Sequence, residues 1–151
     1  MAETKTLSYD MTATIEKQLR LISSVIKETG RQMLKEYNLS PPQFIALQWI
    51  SEKDGITIGE LSSLMYFPFS TTTDLVDRIE EREFVKRMRD ENDKRVVRIY
   101  MLPKGEESIK SVIRKRQEFL NTKFSDFTED EFLHFQSGLN KLYLEIRKEF
   151  T

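Results

Sequence analysis

The sequence has no cysteine, which excludes disulfides, thiolate metal centres, cysteine nucleophiles and thiol-based redox sensing. Histidine is nearly absent as well, and a lone His134 excludes a multi-histidine metal site within one chain. Glycine and proline are scarce, at 5 and 4 among 151 residues, while 32% of side chains are charged. Collagenous, low-complexity and all-β sandwich architectures drop out, and long solvated helices remain. No run approaches the roughly 18 apolar residues of a membrane span. The opening residues MAETKTLSYD lack the basic stretch and apolar core of a secretory signal. A soluble cytoplasmic protein with no membrane partner is the expectation. An excess of one charge is missing too. With a net charge of -1 and a pI of about 6.0, any site for a polyanion must be local. The 38% of hydrophobic residues suffices for one core, so a single domain over 1–151 is expected.

What is present is helical periodicity with strong start signals. From Asp10 to Tyr37, Met11, Ile15, Leu19, Ile22, Ile26, Thr29, Met33 and Tyr37 recur three or four apart, the stripe of one long helix that Asn38 can stop. Part of so broad an apolar face can meet another chain, and packing within the chain is an equal reading. Ser40-Pro41-Pro42-Gln43 reads as a capping box, with Leu39 and Phe44 as its hydrophobic staple. The device recurs at Thr57 with Glu60, stapled by Ile56 and Leu61, and at Thr128 with Glu131. A further helix spans about Phe69 to Arg82, and the last two place Ile109, Val112, Leu120 and then Phe132, Phe135, Leu139, Leu142, Ile146 and Phe150 on apolar faces. Between them, Phe84 to Arg89 and Val96 to Met101 are β-capable runs around the polar turn 90–95, which predicts a hairpin.

Two short helices joined by a tight turn and followed by a charged hairpin form the layout of a winged helix-turn-helix. Its second helix can enter a DNA major groove, with the hairpin tip over a neighbouring minor groove. The groove-facing turn would be Ser70-Thr71-Thr72-Thr73, whose hydroxyls can donate to phosphates or base edges; a helix cap with a solvated first turn is the alternative. The hairpin holds the one markedly basic stretch of an acidic protein: Lys86, Arg87, Arg89, Lys94, Arg95 and Arg98 against Asp90, Glu91 and Asp93. Arg95 near the tip can extend into a minor groove, and Asp93 is expected to support the wing by accepting from backbone N–H groups or pairing with an arginine. Ordinary edge-strand charge is the competing account of the cations.

In order along the chain, Leu39-Ser40-Pro41-Pro42-Gln43-Phe44, Ile58-Gly59-Glu60-Leu61, Leu75-Val76-Asp77-Arg78-Ile79-Glu80, the turn 90–95 and Leu102-Pro103-Lys104-Gly105 resemble the MarR family of bacterial transcription regulators. The resemblance implies a mainly α fold with a β-hairpin wing: a winged helix-turn-helix lobe at 39–102 and dimerisation helices at 10–37 and 104–150. It further implies a homodimer on a pseudopalindromic operator in double-stranded DNA. Ser70, Thr71, Thr73 and Arg78, with Arg89, Lys94 and Arg95 of the wing, are the expected DNA contacts. Thr72 would face inward, where the family places an apolar residue. The form expected is a repressor, with no cofactor or metal, released by a small aromatic effector for which Tyr37, Trp49 and Tyr66 are candidates; core packing is the competing account of these aromatics. The chain departs from the family at Glu83, which stands where a glycine is usual, so the helix before it should end without a left-handed cap or run on into the strand. Asn92 replaces a frequent arginine, Pro68 a Ser or Thr cap, and Pro103 a threonine.

Two other functions compete. An enzyme would need a base beside a Ser or Thr nucleophile, and the lone His134 lies between Leu133 and Phe135 as a core or interface residue. No phosphate-binding glycine loop is present. A winged-helix adaptor that binds protein rather than DNA would suit the near-balanced helix carrying Asp74, Asp77, Glu80 and Glu81 beside Arg78 and Arg82.

Overall fold

A computed structural model describes the backbone over residues 2–150 and the side chains over 8–149. Phe150, assigned by the sequence pattern to the last apolar stripe, lies outside the described side chains. The elements are α1 (Ala2–Glu36), α2 (Pro41–Glu52), β1 (Ile56–Thr57), α3 (Ile58–Met65), α4 (Phe69–Glu81), β2 (Val85–Arg89), β3 (Val97–Met101), α5 (Pro103–Lys123), α6 (Glu129–Arg147) and a short 3-10 turn (Lys148–Phe150). They divide into two compact units, with the boundary after Arg116.

In the first unit α1 begins at Ala2 rather than Asp10, because neither proline nor glycine interrupts the residues between. It stops where Asn38 takes the left-handed conformation (φ 55°). The Leu39 N–H then donates to the Leu34 carbonyl at 3.1 Å, and both leucines are buried, the apolar contact that accompanies this kind of helix end. The Ser40 box opens α2 as expected, with Gln43 N–H donating to Ser40 Oγ and Ser40 N–H to Gln43 Oε1. At α3 only half the box forms. Thr57 Oγ1 accepts from Glu60 N–H, but the Glu60 carboxylate pairs with Lys53 instead of turning back.

The hairpin is present, and a third strand joins it. The sheet order is β1-β3-β2, all antiparallel, with Ile56 opposite Ile99 and Arg87 also opposite Ile99 from the other side. A two-residue strand carries no alternation to read from sequence. It forms because Gly55, at φ 82°, turns the chain so that its N–H reaches the Ile99 carbonyl at 3.0 Å. The core gathers Phe44, Leu47 and Ile50 of α2, Leu61 of α3, Val76 and Ile79 of α4, Phe84, Val85 and Ile99 at the sheet, and Ile109 and Val112 of α5. Burial of such side chains contributes about 1.5–3 kcal/mol each and fixes α4 and the sheet against one another.

The end of α4 corrects one expectation. The helix does finish in a left-handed residue, and that residue is Glu83 itself, at φ 61°. Phe84 N–H donates to the Ile79 carbonyl at 3.0 Å and Glu83 N–H to Glu80 at 2.9 Å, so the hydrogen bonds of a glycine-type cap are made by a residue with a Cβ. Glu83→Gly is therefore expected to stabilise the protein by about 0.5–1 kcal/mol: relief of about 1–2 kcal/mol at a left-handed non-glycine position, less the extra chain entropy glycine loses on folding. Thermal unfolding checks this; an unchanged or lower midpoint would count against it.

Along α1, Met11, Ile15, Leu19, Ile22 and Val25 stand between 38% and 65% exposed, whereas Ile26, Thr29, Met33 and Tyr37 are half-buried, so within the first unit only the C-terminal part of the stripe is covered. In the second unit the Thr128 box opens α6, with Glu131 as reciprocal partner. Phe124 meets Phe127 and Phe132 edge-on at 5.1 and 5.2 Å. No residue of α6 is buried. Phe132, Phe135, Leu139, Leu142 and Ile146 are all exposed, and so is His134, whose Nδ1 lies 2.7 Å from the Asp130 carbonyl; a core role for this histidine is ruled out.

Candidate nucleic-acid interface

Helix α4 presents its first turn because of what holds it from behind. Pro68 is the N-cap residue and offers no side-chain hydrogen bond. Its carbonyl instead accepts from both the N–H and the Oγ1 of Thr72, at 3.0 and 3.1 Å. Thr72 is fully buried, the inward orientation expected for it, and this turns Ser70 and Thr71 to solvent. Thr73 is half-buried and returns its hydroxyl to the Phe69 carbonyl at 3.0 Å. Arg78 is exposed in the last turn of the helix.

The wing's six cations separate into two groups that sequence alone lumps together. Arg87 reaches back to α4: Nη2 pairs with Asp77 and lies 3.0 Å from Glu80, while Arg87 N–H donates to Glu80 Oε2 at 2.6 Å. Burial opposes the charge on Arg87, yet the Glu80 and Asp77 carboxylates outweigh it and raise the guanidinium above its ordinary pKa. Arg98 is likewise internal, donating to Asp90 at 2.7 Å and to the Gly55 carbonyl at 3.0 Å. Among the described residues Lys86, Arg89 and Lys94 make no ion pair, and all three are exposed. Arg95 pairs with Asp93 at 3.1 Å, but its side chain remains 91% exposed, a pair that contributes little in water and leaves the guanidinium available to a phosphate.

Asp93 supports the tip in both expected ways, accepting from Arg95 N–H and from its guanidinium. Asp90 supports it more. Its carboxylate accepts from the N–H groups of Asn92 and Asp93 as well as from Arg98, a role the sequence did not single out, although an Asp at the first position of a turn is the signal for it. The Arg98 hydrogen bond, then the Asp93 N–H, hold Asp90 below the ordinary carboxylate value. The Arg95 side chain and N–H do the same for Asp93. Carboxylates lowered on folding give their support above the unfolded pKa and lose it as pH falls through the folded one, so the tip stays braced at every pH near neutrality.

Between the start of α3, the first turns of α4 and the wing lies a shallow concavity of about 630 Å³, whose walls include Ile58, Phe69, Thr73, Met88, Arg89 and Arg95. Phe69 is 62% and Met88 49% exposed. None of Tyr37, Trp49 and Tyr66 lines it. Tyr37 and Trp49 are half-buried against the core, whereas Tyr66 is 94% exposed and sits left-handed at the end of α3, which overturns a core role for it. Tyr37 has a tighter setting: its carbonyl accepts from Arg82 Nη2 at 2.7 Å, the Asn38 carbonyl accepts from Nη1 of the same guanidinium, and Lys115 Nζ lies 5.2 Å from its ring. Arg82, the C-cap of α4, thereby joins α4 to the end of α1. Among the described residues no group of three or more His, Asp or Glu side chains is placed to hold a metal, and no helix is long and apolar enough to cross a membrane.

The sequence pattern of the MarR family matches residues 39–97. The HTH-type transcriptional regulator YsmB of Bacillus subtilis is 50% identical over 137 residues, which span 91% of this chain and 94% of that protein. In three dimensions the chain is similar to a MarR family protein from Bacillus stearothermophilus, with 47% identity, a TM-score of 0.81 and coverage of 91% and 96% of the two chains. A MepR variant from Staphylococcus aureus bound to an oligodeoxyribonucleotide shares the fold at 20% identity, with a TM-score of 0.71 and coverage of 87% and 96%.

Proposed function

The chain belongs to the MarR family of HTH-type transcriptional regulators, and from that premise we propose that it acts as a homodimeric repressor on a pseudopalindromic operator. In this reading the first turn of α4 enters the major groove with Ser70, Thr71 and Thr73 on phosphates and base edges, and Arg78 holds the backbone. The wing brings Arg95 to the minor groove, with Arg89 and Lys94 on flanking phosphates. Two-fold symmetry sets the half-sites about 10 base pairs apart.

The observation that carries the reading is the use Arg87 makes of α4's acids. A helix with Asp74, Asp77, Glu80 and Glu81 should repel phosphates, but Asp77 and Glu80 are engaged by Arg87. The cations that have no such duty, Lys86, Arg89 and Lys94, are exposed on the wing, and Arg89 shares the walls of one concavity with Phe69 and Thr73 of α4. The DNA-bound MepR variant supports the same assignment by its fold.

Duplex binding measured across a salt series tests it. Wild-type protein should bind with a steep negative salt slope from released counterions, and Arg95→Ala, which removes one cation from each of the two wings, should weaken binding and flatten the slope by about two units while leaving the fold intact. A protein-only adaptor would show no slope. An effector, in turn, can release DNA only by binding one separation of the two α4 helices better than another. Of the three aromatic candidates, Tyr37 has the surroundings that suit this, since Arg82 links its carbonyl to α4.

A further inference from the structure

We propose that Phe69 reads thymine, through contact of its ring with the C5-methyl group in the major groove, and that this contact rather than a guanine contact dominates the half-site. The inference rests on the DNA-binding reading above.

The first turn of a recognition helix is the part that reaches base edges. Phe69 is the first residue of α4, and it is 62% exposed where its neighbours Ser70 and Thr71 present small hydroxyls. Its ring is left out of the core, on the wall of the concavity shared with Arg89 and Arg95 of the wing. A large ring left in water is unfavourable for the free protein, and an apolar partner on bound DNA would remove that cost.

The chemistry of the rest of the helix narrows the choice. Guanine is read by Arg or Lys reaching O6 and N7, and adenine by Asn or Gln reaching N6 and N7. From Phe69 to Asp77 the helix has none of these four residue types; its only basic side chain, Arg78, stands in the last turn. What the opening turns offer is hydroxyl groups and one ring. Of the groove-edge features, the thymine methyl is the one an apolar side chain recognises.

The test begins with selection of a binding site from random duplexes by the purified full chain. Each thymine of the enriched site is then replaced by deoxyuridine, which removes only the methyl. Wild-type affinity should fall about fourfold at one thymine in each half-site, the value of one buried methyl-sized group, and about fifteenfold with both replaced. Phe69→Ala should bind the thymine and uracil duplexes alike, whereas Phe69→Leu should keep the preference. Unchanged melting of Phe69→Ala would confirm that its loss is one of contact, as expected for an exposed side chain. Wild type blind to every methyl, or Phe69→Ala still discriminating, overturns the proposal while leaving DNA binding standing. Failure of any duplex to enrich, with no salt-dependent binding, overturns both.

Discussion

Ile15→Glu with Ile22→Glu is expected to turn the proposed homodimer into a monomer and to weaken operator binding by about a hundredfold to ten-thousandfold, the advantage that linking two binding modules confers. The two isoleucines lie seven residues apart on the stripe that also holds Met11, Leu19 and Val25, and they are 49% and 50% exposed. A stripe of this kind on a long helix is stable in water only when another surface covers it. In a two-fold interface each substitution appears twice, so four carboxylates would have to be buried or the interface given up. Burial of a carboxylate without a partner is far more costly than separation. Because the side chains face out of their own chain, the lobe built on the Phe44 and Ile79 core should still fold. Sedimentation equilibrium reads the mass and fluorescence anisotropy the affinity. A dimer of unchanged affinity would remove α1 from the interface.

Gly105→Ala should destabilise the protein by about 3 kcal/mol, at the upper end of what overpacking brings. Gly105 is buried in the first turn of α5, and a Cβ there would lie 2.3 Å from the Phe84 carbonyl oxygen and 2.6 Å from Met101 Sδ. The methionine can give way, being flexible. The carbonyl cannot, because it accepts from Leu102 N–H at 2.9 Å and sits directly before β2. Relief therefore requires α5 to lift from the sheet or the sheet to shift, and the wing moves with it. Gly138→Ala is the matched control: nothing lies within 4 Å of its Cβ, and mid-helix alanine is favoured over glycine by about 0.5–1 kcal/mol. Opposite shifts in the thermal midpoint are expected, and equal ones would refute the packing argument.

These two glycines also mark how far the sequence could be read. Helix starts were legible because their causes are local: Ser40 and Gln43, or Thr128 and Glu131, find each other within one turn. Glu60 fits the same pattern, but its carboxylate is drawn to Lys53, across the turn that precedes α3, and no spacing rule shows that. The hairpin was legible from its β-branched runs, while β1 exists only through its pairing with β3. Among the site residues, the orientation of Thr72 followed from helical geometry. Arg87 read as one more wing cation, since the carboxylates that claim it come from α4. Phe69 drew no notice because an aromatic beside an apolar segment ordinarily packs inward, and only the fold leaves it outside. Glu83 shows the converse: the backbone needed a left-handed residue there and imposed that shape on the side chain at hand.

The grip of Arg82 on the end of α1 uses acceptors that do not depend on side-chain identity. Both are main-chain carbonyls, of Tyr37 and Asn38, and every amino acid carries one. The joint would therefore survive exchange of the Tyr37 ring for another side chain. On the proposed reading, in which an effector meets the Tyr37 ring, a lineage or a designer could alter what is sensed there while inheriting the lever arm intact, so that recognition of the signal and its transmission would evolve as separate traits.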